Sequence, residues 1–119
     1  MNDVMTCVLI GTVSGVVAAL CGVGGGIILV PAFVYFLGMT QKNAVATSLA
    51  AIILTAVAAS FKNSGNSLVN WKIAVVTGLS GAMLAWFTAG YLKQFSNLML
   101  TRIFAGVLIA VGIKMLFTR

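Results

Sequence analysis

Long apolar runs alternate with short polar interruptions along this chain. From Val4 to Gln41 there are 38 consecutive residues without a charge, more than the ~20 that one helix needs to cross a hydrocarbon core. The stretch must hold more than one segment, and the divider is "GVGGG", Gly22 to Gly26, with four glycines in five positions. The pattern predicts a helix over Met5–Leu20 of roughly 24 Å and a second piece over Ile27–Leu37 of only about 17 Å. The second piece falls short of a ~30 Å core, so it is either a short tilted helix or a re-entrant arm that stops near mid-depth. Three later apolar runs, Asn43–Phe61, Ile73–Leu92 and Leu98–Leu116, are each long enough to cross. "KNSGNSLVNW", residues 62–71, reads as the main loop and "KQFSN", residues 93–97, as a short turn. The expected fold is all-α: one transmembrane domain over residues 1–119, a polytopic helix bundle of four to five membrane segments with a glycine-broken or re-entrant piece.

Composition agrees. The 119 residues are 61% apolar and 7% charged, whereas soluble domains carry about a quarter charged residues. A soluble fold this small would expose large apolar patches and aggregate. The net charge of +6 comes from Lys42, Lys62, Lys72, Lys93, Arg102, Lys114 and Arg119. These lie singly at or near the ends of apolar runs, as membrane anchors do, and form no basic stripe for a nucleic acid. The N-terminus, "MNDVMTC", lacks the basic n-region of a cleaved signal peptide. With no His and Asp3 as the sole acid, the side chains cannot assemble a zinc site, a carboxylate pair or a Ser-His-Asp triad. No enzyme activity, metal or cofactor is expected. Cys7 and Cys21 are 14 positions apart, about 21 Å on a continuous helix, which argues against a disulfide between them.

Small residues recur at helical spacing: Gly11, Gly15 and Ala19; Gly81, Ala85 and Ala89; Gly106 and Ala110. Such stripes let helices approach closely in lipid, so a compact bundle is expected. Trp71 sits at a run boundary, as belt aromatics do, and Trp86, well inside its run, is expected to pack against a neighbour. If successive loops alternate across the membrane, one side collects Lys42, Lys93 and Arg102 and the other Lys62, Lys72, Lys114 and Arg119. Three against four is almost no positive-inside bias, which suits insertion in both orientations or orientation by a partner.

The glycine break carries the candidate chemistry. Non-helical backbone at membrane depth is tolerated only where protein or a water-filled cavity satisfies it, and transporters place binding sites at such breaks. Glycine lets backbone N–H groups converge, and a following helix adds its positive dipole end, so an anion is the favoured guest. Pro31 sits late for a first helical position, which moves the expected start of the second piece toward Leu29 or Val30. A tight turn without a ligand and a hinge at Gly22 and Pro31 are the competing readings. "GVGGG" is not G-x-G-x-x-G, and no Lys-Ser/Thr pair follows, so a phosphate cradle of the Rossmann or P-loop kind is disfavoured. Thr47 and Ser48 in "AVATSLAA" could line a polar cavity or bond back to backbone carbonyls.

"GTVSGVVAALCGVGGGIILVPAFVYFLGMTQKNAVATSLAA" resembles the signature region of the TauE/SafE family of sulfite exporters. The matching residues are Gly22, Gly24, Gly25 and Gly26, then Pro31, then Thr47, Ser48 and Leu49, with "NWK" at residues 70–72 as a later likeness. The resemblance covers nearly the whole chain. It implies a multi-pass permease of a bacterial or archaeal inner membrane for sulfite, sulfonates and related small organic anions. Family members are longer and contain two related halves; this sequence resembles one. It is thus a half-size protein that pairs with itself, a subunit that pairs with a second half, or a fragment. The leading expectation is a half-transporter acting as a homodimer, with Gly22, Gly24, Gly25, Gly26, Thr47 and Ser48 binding substrate and Cys21 available to line the cavity. A non-transporting assembly subunit and a small anion channel are the alternatives.

Overall fold

The computed structural model describes residues 3–118. They form five α-helices: α1 (Asp3–Cys21), α2 (Gly26–Leu37), α3 (Gln41–Gly65), α4 (Trp71–Tyr91) and α5 (Asn97–Phe117), with one 3-10 turn at Leu92–Gln94. Four of them, α1, α3, the α4 region and α5, are long and apolar enough to cross a membrane; α2 is a shorter apolar helix. Polytopic all-α architecture is therefore the observed class.

The chain folds around α2. Leu29, Val30 and Phe33 of α2 are buried together with Ile10 of α1 and Ala44 of α3. Helices α1 and α2 form an antiparallel hairpin: Gly25 lies beside Ser14, and Thr6 lines a shallow groove with Phe36 farther along. Both ends of this hairpin return to the side where α3 begins. That side also holds the end of α4 and the start of α5. There the Lys42 backbone N–H donates to Asn97 Oδ1 at 3.3 Å and Lys42 Nζ donates to the Lys93 carbonyl at 3.0 Å. Side chains cap the starts of α4 and α5: Asn70 accepts from the Ile73 N–H and Ser96 from the Met99 N–H, each satisfying an amide that has no helical partner. With three crossings after the hairpin, Asp3 and Thr118 end on opposite sides. The basic residues sort as their order along the chain implies, Lys42, Lys93 and Arg102 on the first side and Lys62, Lys72 and Lys114 on the second; Arg119 lies outside the described residues.

Several expectations change. The loop is shorter than its polar composition suggests, because α3 winds on through Lys62, Asn63, Ser64 and Gly65. A helix leaving an apolar layer keeps its backbone bonds, and the polar residues only mark where it meets water. Helix α2 begins at Gly26 rather than near Leu29 or Val30, so Pro31 is inside it. The early start costs the Ile27 carbonyl its i+4 donor, since proline has no N–H. The buried seam of α1 is Ile10, Ser14 and Ala18. It is not Gly11, Gly15 and Ala19, and a methyl group added at either of those glycines meets nothing within 4 Å. The glycines of the α4 and α5 stripes, Gly81 and Gly106, are equally open, and neither helix buries a residue. Trp86 is 82% exposed, so no other helix among the described residues covers it.

Ala44 has no accessible surface and fills the seam where α3 meets α2. Ala44→Leu forces three extra carbons into that contact and is expected to destabilise the bundle by about 1–3 kcal/mol. Thermal unfolding in detergent reads this as a lowered midpoint, against an unchanged midpoint for the outward-facing control Leu54→Ala.

Candidate functional site

The glycine cluster is a true break. Gly22, Gly24 and Gly25 have φ of 70°, 66° and 78°, in the left-handed region where a side chain costs about 1–2 kcal/mol. The Gly22 N–H closes the last turn of α1 on the Ala18 carbonyl at 2.9 Å, and the Gly25 carbonyl opens α2 by accepting from Ile28 and Leu29. Between those bonds, the main-chain N–H groups of Val23, Gly24, Gly25, Gly26 and Ile27 find no protein acceptor among the described residues. Gly25, which caps α2, has no side chain to accept from them.

Depth follows from what the break touches. A Cβ at Gly24 would lie 2.8 Å from Ile52 Cγ2, and one at Gly26 would lie 3.1 Å from Ile52 Cδ1. A Cβ at Gly25 would lie 3.1 Å from the Ser14 carbonyl oxygen. Ile52 and Ser14 are each eleven residues from the start of their helix, about 16 Å at 1.5 Å per residue. Half of a ~30 Å core is the same distance. The unpaired amides and the N-terminus of α2 thus sit near mid-depth, and α2 is a half-length arm running back to the side it came from.

The other singled-out residues fall in different places. Ser48 is buried, and its hydroxyl donates to the Val45 carbonyl at 2.8 Å. Thr47, one position before it, is exposed, and Pro31 is half-buried. Cys21 ends α1 as an exposed free thiol, and Cys7 is also free and exposed. Gly25 is buried against Ser14, which itself donates to the Gly11 carbonyl. Ser14 and Ser48 are small polar residues satisfied within their own helices, so they let α1 and α3 close on α2 without leaving an orphaned hydroxyl.

What opens beside the break is a groove of about 430 Å³ lined by Gly22 and Gly24 and by Ile52, Thr55, Ser60 and Asn63 of α3, among others. Thr47, Ser48 and Cys21 do not line it. Sequence reading passed over Thr55, Ser60 and Asn63. The available signal was phase: Ser48, Ile52, Thr55, Ala59 and Asn63 continue one face of α3 at steps of three and four, and three of the five are polar.

The profile of the sulfite exporter TauE/SafE family matches residues 4–119. Among similar curated proteins, a "probable membrane transporter protein" of Xylella fastidiosa (strain Temecula1) is 31% identical over 111 residues, 91% of this chain and 42% of that protein. One of Haemophilus influenzae is 27% identical, over 97% of this chain and 46% of its own length. YunE of Bacillus subtilis, also a "probable membrane transporter protein", is 30% identical, over 92% and 40%. The chain spans less than half the length of these relatives. No solved structure matches it to a significant degree. A family match that runs from residue 4 to residue 119, on a bundle with four helices long and apolar enough to cross a membrane, makes the conclusion direct: the chain belongs to the TauE/SafE sulfite exporter family of membrane transporters.

Proposed function

We propose that the chain is one half of a permease for small anions. Sulfite, sulfonates and related sulfur-containing organic anions are the favoured class. The working unit in a bacterial or archaeal inner membrane is a homodimer or a pair with a second half-size subunit. The carrying observation is the run of five unpaired amides, Val23 to Ile27, beside Ile52 at the middle of α3. Amides offer donors only, and the α2 dipole points its positive end the same way. An oxoanion supplies several acceptors at once and so suits them better than a cation or a neutral solute. In this reading Gly24, Gly25 and Gly26 bind through the main chain and Gly22 and Pro31 let the arm move. Ser48 seats α3 against it, and Thr47, exposed on α3, is offered to the second half. Cys21 stands at the rim.

The sequence has no His, and its one carboxylate side chain, Asp3, stands at the outer end of α1, so a side-chain proton relay of the usual kind is not part of the proposal. Facilitated diffusion, or a proton carried on the substrate, is expected. Purified protein in proteoliposomes should take up radiolabelled sulfite or methanesulfonate with saturation, above empty liposomes. Absence of any anion flux would return the chain to an assembly role, and flux linear in concentration would make it a channel.

A further inference from the structure

We infer that the groove on α3 is a hydrated access path, with a second anion-holding position at Ser60 and Asn63 between the glycine break and the water on the Lys62 and Lys72 side. The inference rests on the permease reading for the kind of solute and on the groove for its place. The groove starts at Gly22 and Gly24 and ends at Ser60, Asn63 and Val69, next to the loop that leads into α4. Its α3 wall is ordered by helical phase. Thr55, Ala59 and Asn63 follow at steps of four, with Ile52, Ala56 and Ser60 beside them.

Polarity rises along that wall. At the deep end Thr55 spends its hydroxyl proton on the Ile52 carbonyl at 3.1 Å. At the outer end neither the Ser60 hydroxyl nor the Asn63 side-chain amide has a hydrogen-bond partner among the described residues, and Asn63 is only half-exposed. A polar group turned toward acyl chains without a partner is costly, whereas the same groups in water or facing an oxoanion are satisfied. Asn63 brings two N–H donors and Ser60 one O–H donor. Lys62 and Lys72, in the last turn of α3 and the first turn of α4, bracket the mouth with positive charge that raises the local anion concentration. The opposite face of α3 shows the contrast: Leu54 and Phe61 are 76% and 79% exposed at the same depths and carry no polar atom to hydrate.

The test reads water rather than transport. In a Cys7→Ser, Cys21→Ser background, single cysteines at Thr55, Ala59, Ser60 and Asn63 are compared with cysteines at Leu54 and Phe61, all reconstituted in sealed vesicles. A thiol reacts with maleimide as its thiolate, which forms in water and not in lipid. Groove positions are therefore expected to label with N-ethylmaleimide at least ~10-fold faster than Leu54→Cys and Phe61→Cys. Methanesulfonate, which does not consume the reagent, is expected to slow Ser60→Cys and Asn63→Cys but not a cysteine at exposed Leu68 in the loop. Equal slow labelling on both faces overturns the path and means that lipid or a partner helix fills the groove. Fast labelling without protection overturns the anion position. Ala59→Cys, the smallest change, keeps the hydration readout available if a polar-site variant fails to insert. Because no arm measures flux, failure here leaves the uptake experiment standing, and failure of uptake leaves the labelling result standing.

Discussion

Anion flux is expected to stop in proteoliposomes of Gly25→Leu while the protein still inserts. Insertion depends on the summed hydropathy of the four long helices, which one extra apolar side chain does not lower. Flux depends on the break. At Gly25 the backbone has φ 78° and a new Cβ meets the Ser14 carbonyl oxygen at 3.1 Å and Ser14 Cβ at 3.3 Å. Even alanine pays about 1–2 kcal/mol for the left-handed backbone, and the close approach adds to it. Each ~1.4 kcal/mol of lost transport-competent geometry is tenfold in rate, so Gly25→Ala should lower flux by roughly ten- to a hundred-fold. Gly22→Ala separates the two costs, because Gly22 has φ 70° but nothing within 4 Å of an added methyl; it should lose no more than about tenfold.

Gly24 makes the same argument quantitative. Its added Cβ would lie 2.8 Å from Ile52 Cγ2, the branch of a side chain rather than main chain. Ile52→Ala removes that branch, so Gly24→Ala and Ile52→Ala should couple favourably by about 0.5–3 kcal/mol in a double-mutant cycle on thermal stability. Gly25→Ala and Ser14→Gly should couple far less, since the nearest atom at Gly25 is the Ser14 backbone oxygen and survives the substitution. Equal coupling in the two cycles, or full flux in Gly25→Leu, would mean that the amides of this segment are spectators.

The break was legible because two signals coincide there: 38 uncharged residues are too many for one crossing, and clustered glycine marks where the chain divides. Its depth was not, since that depends on Ser14 and Ile52 standing beside it, and contacts between segments leave no local trace. Ser14 sits among Gly11 and Gly15, and a spacing rule favours the glycines. The structure buries the face one step over, where Ile10 and Ala18 add apolar area. Ser48 is part of a motif yet serves packing through its own helix, whereas Thr55, Ser60 and Asn63 belong to no motif and line the groove. Polarity from residue 62 onward marks where α3 meets water and not where it ends, so Asn63 is helical although its composition reads as loop. The position of Trp86 inside an apolar run predicts a neighbour, and its 82% exposure on a helix with no buried residue means that no other helix among the described residues is that neighbour.

The proposed pairing of two copies sets the second large effect. A cysteine at Leu68, in the loop between α3 and α4, is expected to be open to an impermeant maleimide from one side in about half of the molecules, because three basic residues on one side against four on the other give almost no orientation bias. The odd number of crossings makes this consequential: a copy inserted the other way presents its arm from the opposite face, and a pair of such copies is an inverted repeat. Two charge variants test whether the pair is needed. Asp3→Lys with Gln94→Lys and Lys114→Gln puts five basic residues on the α3-start side against three, and Leu68→Lys with Lys93→Gln puts two against five. Each should insert mostly one way, in opposite senses, and each alone should lose nearly all flux. Co-expressed, they should recover it, since together they restore both orientations without restoring either sequence. Recovery would assign the exposed faces of α4 and α5 to an antiparallel copy of this chain. Full flux from either variant alone would rule that copy out, and single-sided labelling of the unaltered protein would point to a distinct second half that fixes its orientation.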